Sequence, residues 1–268
     1  MIDNSKSTPE LISEAYKNDV EEEYWGIIHE LHKRGSEVEF SAACKLIEST
    51  DPINREIGAD ILGQIGWRDN SFQDESIPIL IRLLADGCDD VIASAAFSLG
   101  HRNSPMAIPI LIELATHNSA RVREGVVSGL SGLESEAAIN TLITLSRDPE
   151  VDVRNWATFG IGNLSEADNS DIRNALKERI TDNDYEVRGE AFIGLANRKV
   201  IEIQDALIKE LSGEFSGNWA VEAAKIMADP AYCRVLSKLK SREAGNIEDR
   251  FINDIDEAIS CCCGDSKT

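Results

Sequence analysis

Val153-Arg-Asn-Trp-Ala-Thr-Phe-Gly-Ile-Gly162 is one copy of a phrase that recurs along this chain of 268 residues. Other copies read Val91-Ile-Ala-Ser-Ala-Ala-Phe-Ser-Leu-Gly100, Val122-Arg-Glu-Gly-Val-Val-Ser-Gly-Leu130 and Val187-Arg-Gly-Glu-Ala-Phe-Ile-Gly-Leu-Ala196. Apolar and small residues recur at helical spacing in each. A unit this short cannot bury its own apolar face, so repetition at this period predicts an array in which each unit is stable only against its neighbours.

A second phrase alternates with the first. Ile77-Pro-Ile-Leu-Ile-Arg-Leu83, Ile108-Pro-Ile-Leu-Ile-Glu-Leu114 and Ile139-Asn-Thr-Leu-Ile-Thr-Leu145 supply the leading helix of each pair, with Pro78 and Pro109 expected at helix starts. A polar turn follows, containing Asp51-Pro52, Asp86-Gly87, Asp148-Pro149 or Asp182-Asn183. An Asp before Pro can cap the next helix and complement its positive end. Aligning the second helices on Arg55, Ile92, Arg123, Arg154, Arg188 and Ala220 defines six units, with an insertion around Gly66–Phe72 in the first gap.

The Asp-Pro turn, the Val-Arg pair, the small residues three and four places after Arg, and the Leu-Gly or Ile-Gly that follows resemble the HEAT-repeat family. The similarity is to the short-unit subclass named after phycobilisome lyase. It implies an all-α, right-handed α-solenoid of stacked antiparallel helix pairs. Ile92 in place of Arg, the shortened turn before Arg55 and the degenerate sixth copy depart from the family pattern. The expected organisation is a helical cap over 1–37, about six repeats over 38–240, a capping helix over 241–260 and a flexible Cys-rich tail over 261–268. The resemblance also implies that Arg55, Arg123, Arg154 and Arg188 join turn carboxylates in a ladder between units, which makes them structural. Scaffolds, adaptors, inhibitors and some enzymes share such repeats, so the resemblance is informative for fold more than for function.

The formal charge is −21. Residues 1–100 carry 20 acidic against 8 basic side chains, while residues 101–250 carry 24 against 18. Such a field repels phosphate backbones and anionic membranes and steers basic partners inward, although an acidic surface can also serve solubility alone. Direct nucleic-acid binding and membrane attachment are therefore not expected. Cys44, Cys88 and Cys233 stand isolated without metal-ligand spacing, and Cys261, Cys262 and Cys263 lie too far from the terminus for prenylation. Free thiols, a polar N-terminus and the absence of a long apolar stretch together predict a cytoplasmic protein.

Helical phase divides the second helices. With the Arg position as zero, the residues one, two, five and nine places later fall opposite the apolar side. In the resembled family that side lines the concave face. The expected binding residues are Trp156, Phe159, Phe97 and Ile193 as apolar anchors, with Glu56, Asp60, Glu124, Asn155, Asn163 and Glu190 around them. Ile57, Ala93, Ser94 and Gly125 fall in the same register, and Gly125, Gly129, Gly160 and Gly194 would leave room for a protruding partner. Ser128 and Gly132 belong to the same set of small residues expected to leave room. Exposed aromatics ringed by polar groups commonly anchor partners. The alternative is that Trp156 and Phe159 tuck against adjacent helices.

Catalytic signatures are sparse. His29-Glu-Leu-His32 is read as a surface pair without a third ligand, and Gly160-Ile-Gly162 lacks the preceding strand and third glycine of a dinucleotide loop. HEAT-like deoxyhypusine hydroxylases carry several His-Glu pairs where this chain has His29-Glu30 alone, and DNA glycosylases of the fold present a basic groove. No metal or cofactor is expected. The function that emerges is a non-enzymatic module binding a basic protein on its concave face, in one version an immunity-type inhibitor of a basic toxin. A bilin lyase or chaperone-like subunit handling a cofactor is the alternative.

Overall fold

A computed structural model describes residues 5–18, 20–213, 217–243 and 249–264. Among them every regular element is helical, and the chain divides into two compact units, residues 1–141 and 142–268. In the first, α1 (Thr8–Ala15) and α2 (Glu21–Arg34) precede three helix pairs. These are α3 (Glu37–Ile47) with α4 (Pro52–Gln64), α5 (Gln73–Leu83) with α6 (Asp89–His101), and α7 (Ile108–Leu114) with α8 (Ala120–Leu130). α9 (Glu136–Leu145) runs through the division. The second unit contains α10 (Val151–Phe159), α11 (Ser170–Arg179), α12 (Tyr185–Asn197), α13 (Gln204–Leu211), α14 (Asn218–Met227), α15 (Cys233–Glu243) and α16 (Asp249–Cys263).

Within each unit the second helices form a row. α4 packs on α6 and α6 on α8, while α10 packs on α12, α12 on α14 and α14 on α16. Their Val, Leu and Ala positions are buried, as at Val91, Leu99, Val122, Leu130, Val153, Val187 and Leu195. Small residues set the spacing. A Cβ on Gly194 would lie 2.7 Å from Gly162 Cα, and one on Gly125 would lie 2.8 Å from the Ala93 carbonyl oxygen. These glycines do not leave open space, as the sequence suggested; they are where neighbouring backbones touch.

Polar groups pin the same stack at its turns. Arg55 makes paired hydrogen bonds to Asp86 at 2.7 and 2.8 Å, Arg154 reaches Asp182 at 2.8 and 3.2 Å, and Arg188 meets Glu210 at 2.9 Å. Each guanidinium also donates to a carbonyl six residues earlier: Ser49, Asp148 and Asp182 respectively. Arg123 does likewise toward His117. The Arg55 contact holds the Asp86 carboxyl below its ordinary pKa; at Asp182 burial pushes upward, but Arg154 and the Asp184 amide outweigh it. Half-buried bidentate pairs of this kind hold better than surface pairs, and removing one member strands the other.

Several local expectations are corrected. Asp51 does cap α4, accepting from the Ile53 amide, but Asp86 and Asp148 instead fold Asx turns ahead of helices that begin at Asp89 and Val151. The α12 cap is Asp184. α5 starts at Gln73, so Pro78 lies inside it. Phe72 enters that helix from the left-handed region (φ 61°), and Asn70 shares that conformation.

At the other end, α15 and α16 form a further pair whose second helix continues the row, and the expected loose tail is helical as far as Cys263. Cys261, Cys262 and Cys263 belong to α16; residues 265–268 of the expected tail lie outside the described residues. Cys262 is buried and donates to the Ala224 carbonyl. Cys233, expected to be a free thiol, forms a disulfide with Cys263 across 30 residues. The helical turn of α16 places residue 263 over the start of α15, which linear sequence does not reveal.

Two measurements check this packing. Gly194→Ala should cost about 1–3 kcal/mol in denaturant unfolding, because neither backbone can retreat from the added methyl group. Reduction of Cys233–Cys263 should remove about 3–4 kcal/mol by freeing a loop of this size in the unfolded chain, and Cys233→Ser should then be indifferent to reductant.

Candidate functional site

The row of second helices narrows the exposed strip. A helix touched on both flanks and beneath keeps only a ribbon of its surface, so residues one and two places after the Arg position are mostly covered. Ile57, Ala93, Ser94 and Gly125 are buried, contrary to the helical-phase expectation. Five and nine places along, Phe97, Phe159, Ile193 and Asn163 are half-buried and His101 and Asn197 are exposed.

Asp60 is the exception at the fifth position, and it is not a surface group. It is 7% exposed and accepts hydrogen bonds from the Tyr24 hydroxyl at 2.5 Å and from Ser94 Oγ. Its backbone carbonyl accepts from His32 Nε2 at 2.8 Å. The carboxylate thus joins α2, α4 and α6 in one buried network, and the His29/His32 surface pair is corrected accordingly, since His32 is buried. Burial raises the Asp60 pKa to about 6 against the pull of both hydroxyls, and burial lowers that of His32 to about 4. Glu56 is half-buried; burial raises its pKa, but Arg121 pairs with it at 3.2 Å and reaches Asp90 at 3.2 Å as well. Phe97 packs on Ile92, Ala93 and Val122, and Glu124 is half-buried. The acidic flank of the first unit is therefore partly neutralised from within.

The second unit presents a different strip. Trp156 is 56% exposed and stands edge-on to Phe159, ring centroids 5.8 Å apart. Asn155 and Asn163 bracket them on the same helix. Asn155 donates to Glu186 at 3.4 Å, and Asn163 donates to Glu190 at 2.5 Å. The other Glu190 oxygen accepts from the Trp219 indole at 2.9 Å, and Tyr185 donates to Glu186 at 3.0 Å while stacking edge-on to Trp219. Burial pushes the Glu190 carboxyl up, and the charge of Glu186 pushes it further. Ile193 is half-buried on α12.

Backbone geometry places the ends of this strip. After Phe159 the helix widens into a π turn over Gly160–Leu164, which carries Asn163 toward α12. The freed carbonyls of Ile161, Gly162 and Ser165 accept from Arg198, ten places into the next unit. Arg102 does the same in the first unit, donating to Leu62 and Ile65. A cation against helix C-termini is favourable. Sequence reading missed both arginines, although each stands ten places after an aligned position. It also missed Tyr185, Glu186 and Trp219, whose Tyr-Glu and Asn-Trp pairs open their helices.

Among the described residues no three His, Cys, Asp or Glu side chains are grouped to hold a metal ion, and no helix is long and apolar enough to cross a membrane.

A family model for HEAT repeats matches residues 77–162. Protein YibA of Escherichia coli strain K12 is 35% identical over 216 residues, covering 78% of this chain and 76% of YibA. The chain belongs to the YibA family of HEAT-repeat proteins. The crystal structure of Escherichia coli YibA is similar with a TM-score of 0.72 and 30% identity, over 97% of this chain and 93% of that one. The complex of CpcE and CpcF of phycocyanin lyase from Nostoc sp. PCC7120 is similar at 16% identity with a TM-score of 0.50, over 96% of this chain and 95% of that one. That likeness is one of fold. In this YibA-family chain the expected helix pairing is present, the expected ladder reaches turn carboxylates at Arg55 and Arg154 while Arg188 meets Glu210 within α13, and the expected acidic surface at Asp60 is absent.

Asp60 yields a signed test. A carboxyl whose folded pKa is raised contributes stability that is full below about pH 4 and declines as pH rises through about 6. His32 acts oppositely, its contribution declining as pH falls below its ordinary value. Asp60→Asn should therefore gain on the unsubstituted chain as pH rises from 4 to 7, by roughly 4 °C or more in thermal midpoint. A midpoint difference that stays flat with pH would show that Asp60 does not titrate in that window.

Proposed function

We propose that this chain is a non-enzymatic protein-interaction module that receives a basic partner on the exposed strip of its second helices. The observation that carries this reading is Trp156, a large indole left 56% exposed between polar neighbours in an otherwise closely packed row. An aromatic group held by Phe159 and bracketed by two asparagines loses little conformational freedom when a partner covers it. HEAT-repeat membership agrees with a scaffold presenting a surface. The net charge of −21 favours encounter with a positively charged protein and opposes nucleic acid.

In its concrete form the module sequesters a basic toxin as an immunity-type inhibitor. Charge accelerates encounter and the aromatic strip slows release. The roles of Trp156, Phe159, Ile193, Asn155, Asn163 and Glu190 in the second unit, and of Phe97, Glu56 and Glu124 in the first, are part of this proposal. Asp60 is not, because its carboxylate is consumed within the fold.

The experiment is capture of a partner at low salt followed by measurement with purified components. The association rate should fall steeply as salt shortens the reach of the field. Trp156→Ala should weaken binding by about 2 kcal/mol or more, close to 30-fold, with helicity retained. A partner that associates at a rate independent of salt and is indifferent to Trp156→Ala would overturn the reading.

A further inference from the structure

The carboxylates along the exposed strip are not equivalent. Glu56 is paired with Arg121, and Glu222 with Lys225, which also meets Glu257. Glu186 and Glu190 have no cationic partner within salt-bridge distance among the described residues, although each is half-buried and the two repel. The nearby Arg154 and Arg188 are committed to Asp182 and Glu210. Two half-buried carboxylates are thus held together where burial and the Glu186 charge both disfavour the ionised Glu190, a costly arrangement unless a cation arrives.

Their surroundings define which cation. Asn155 and Asn163 turn their NH2 groups toward the two carboxylates, and Trp219 and Tyr185 donate from the other side. A carboxylate has about four acceptor positions. Each therefore retains acceptor capacity after these bonds. Trp156 directly follows Asn155 on α10, so the exposed indole is carried by the residue next to the Asn155–Glu186 bond. A planar guanidinium can lie on an indole and direct paired N–H groups at a carboxylate; a compact, strongly hydrated ammonium satisfies one of these demands less well.

We infer that the patch formed by Trp156, Glu186, Glu190 and Trp219 is a seat for an arginine side chain of the protein partner. The inference rests on the proposal that this strip binds a basic protein, and it names the group that enters.

The test uses the full chain and the peptide acetyl-Gly-Gly-Arg-Gly-Gly-amide, with citrulline and lysine versions for comparison. Indole N–H resonances are assigned through Trp156→Phe and Trp219→Phe. The arginine peptide should shift the Trp156 and Trp219 signals saturably, the citrulline peptide should not, and the lysine peptide should bind more weakly. Glu190→Gln should weaken arginine binding at least ten-fold, while Glu257→Gln should leave it unchanged. Glu186→Gln serves as the second variant should Glu190→Gln unfold. No saturable shift with arginine, or equal binding of citrulline or lysine, would overturn the seat.

The two proposals fail separately. A purified partner weakened by Trp156→Ala but untouched by Glu186→Gln and Glu190→Gln would remove the arginine seat and leave the binding face. Peptide binding as expected, with a partner indifferent to salt and to Trp156→Ala, would do the reverse.

Discussion

Backbone contact between successive second helices is the constraint on which the rest of the structure depends. Gly162 against Gly194, and Gly125 against Ala93, let these helices lie close enough that the flanks they share are covered. Close packing then narrows the exposed ribbon, and side chains that would be free on an isolated amphipathic helix become internal. Ser94 and Asp60 follow from this directly: they face each other between α4 and α6 because the helices leave nowhere else for them to go.

Polar groups act as registration marks on that packed row. Arg55, Arg154 and Arg188 tie one turn to the next unit, while Arg102 and Arg198 close over the carbonyl ends of the preceding helix. Such contacts contribute less by raw strength than by making displacement expensive, since sliding a helix strands a buried guanidinium. The π turn after Phe159 belongs with them. It interrupts regular hydrogen bonding, and Arg198 satisfies the carbonyls that the interruption frees.

Most ionised groups in the row find partners inside it. Glu186 and Glu190 stand out because two half-buried carboxylates lie where no cation among the described residues pairs with them, and Trp156 because its indole is left exposed. A repeat array offers many similar positions, and the difference between a structural carboxylate and a recognition carboxylate is whether a neighbouring unit has already neutralised it.

The repeat phrases by themselves determined the helical pairs, their order and the Val and Leu core, because helix periodicity is local and recurs in every copy; the Arg ladder was implied by the family resemblance. Helical phase also put Trp156 and Phe159 opposite the apolar side, where Trp156 is exposed and Phe159 half-buried. Only the tertiary structure decided that Asp60 and His32 are internal, that Cys233 meets Cys263, and that Trp219 and Tyr185 join the Glu186–Glu190 patch. Each of those depends on contact between residues some 30 apart, which is set by the distance and rotation between neighbouring helices. A single helix's phase says which way a side chain leaves its own axis, but not whether the next helix is already there.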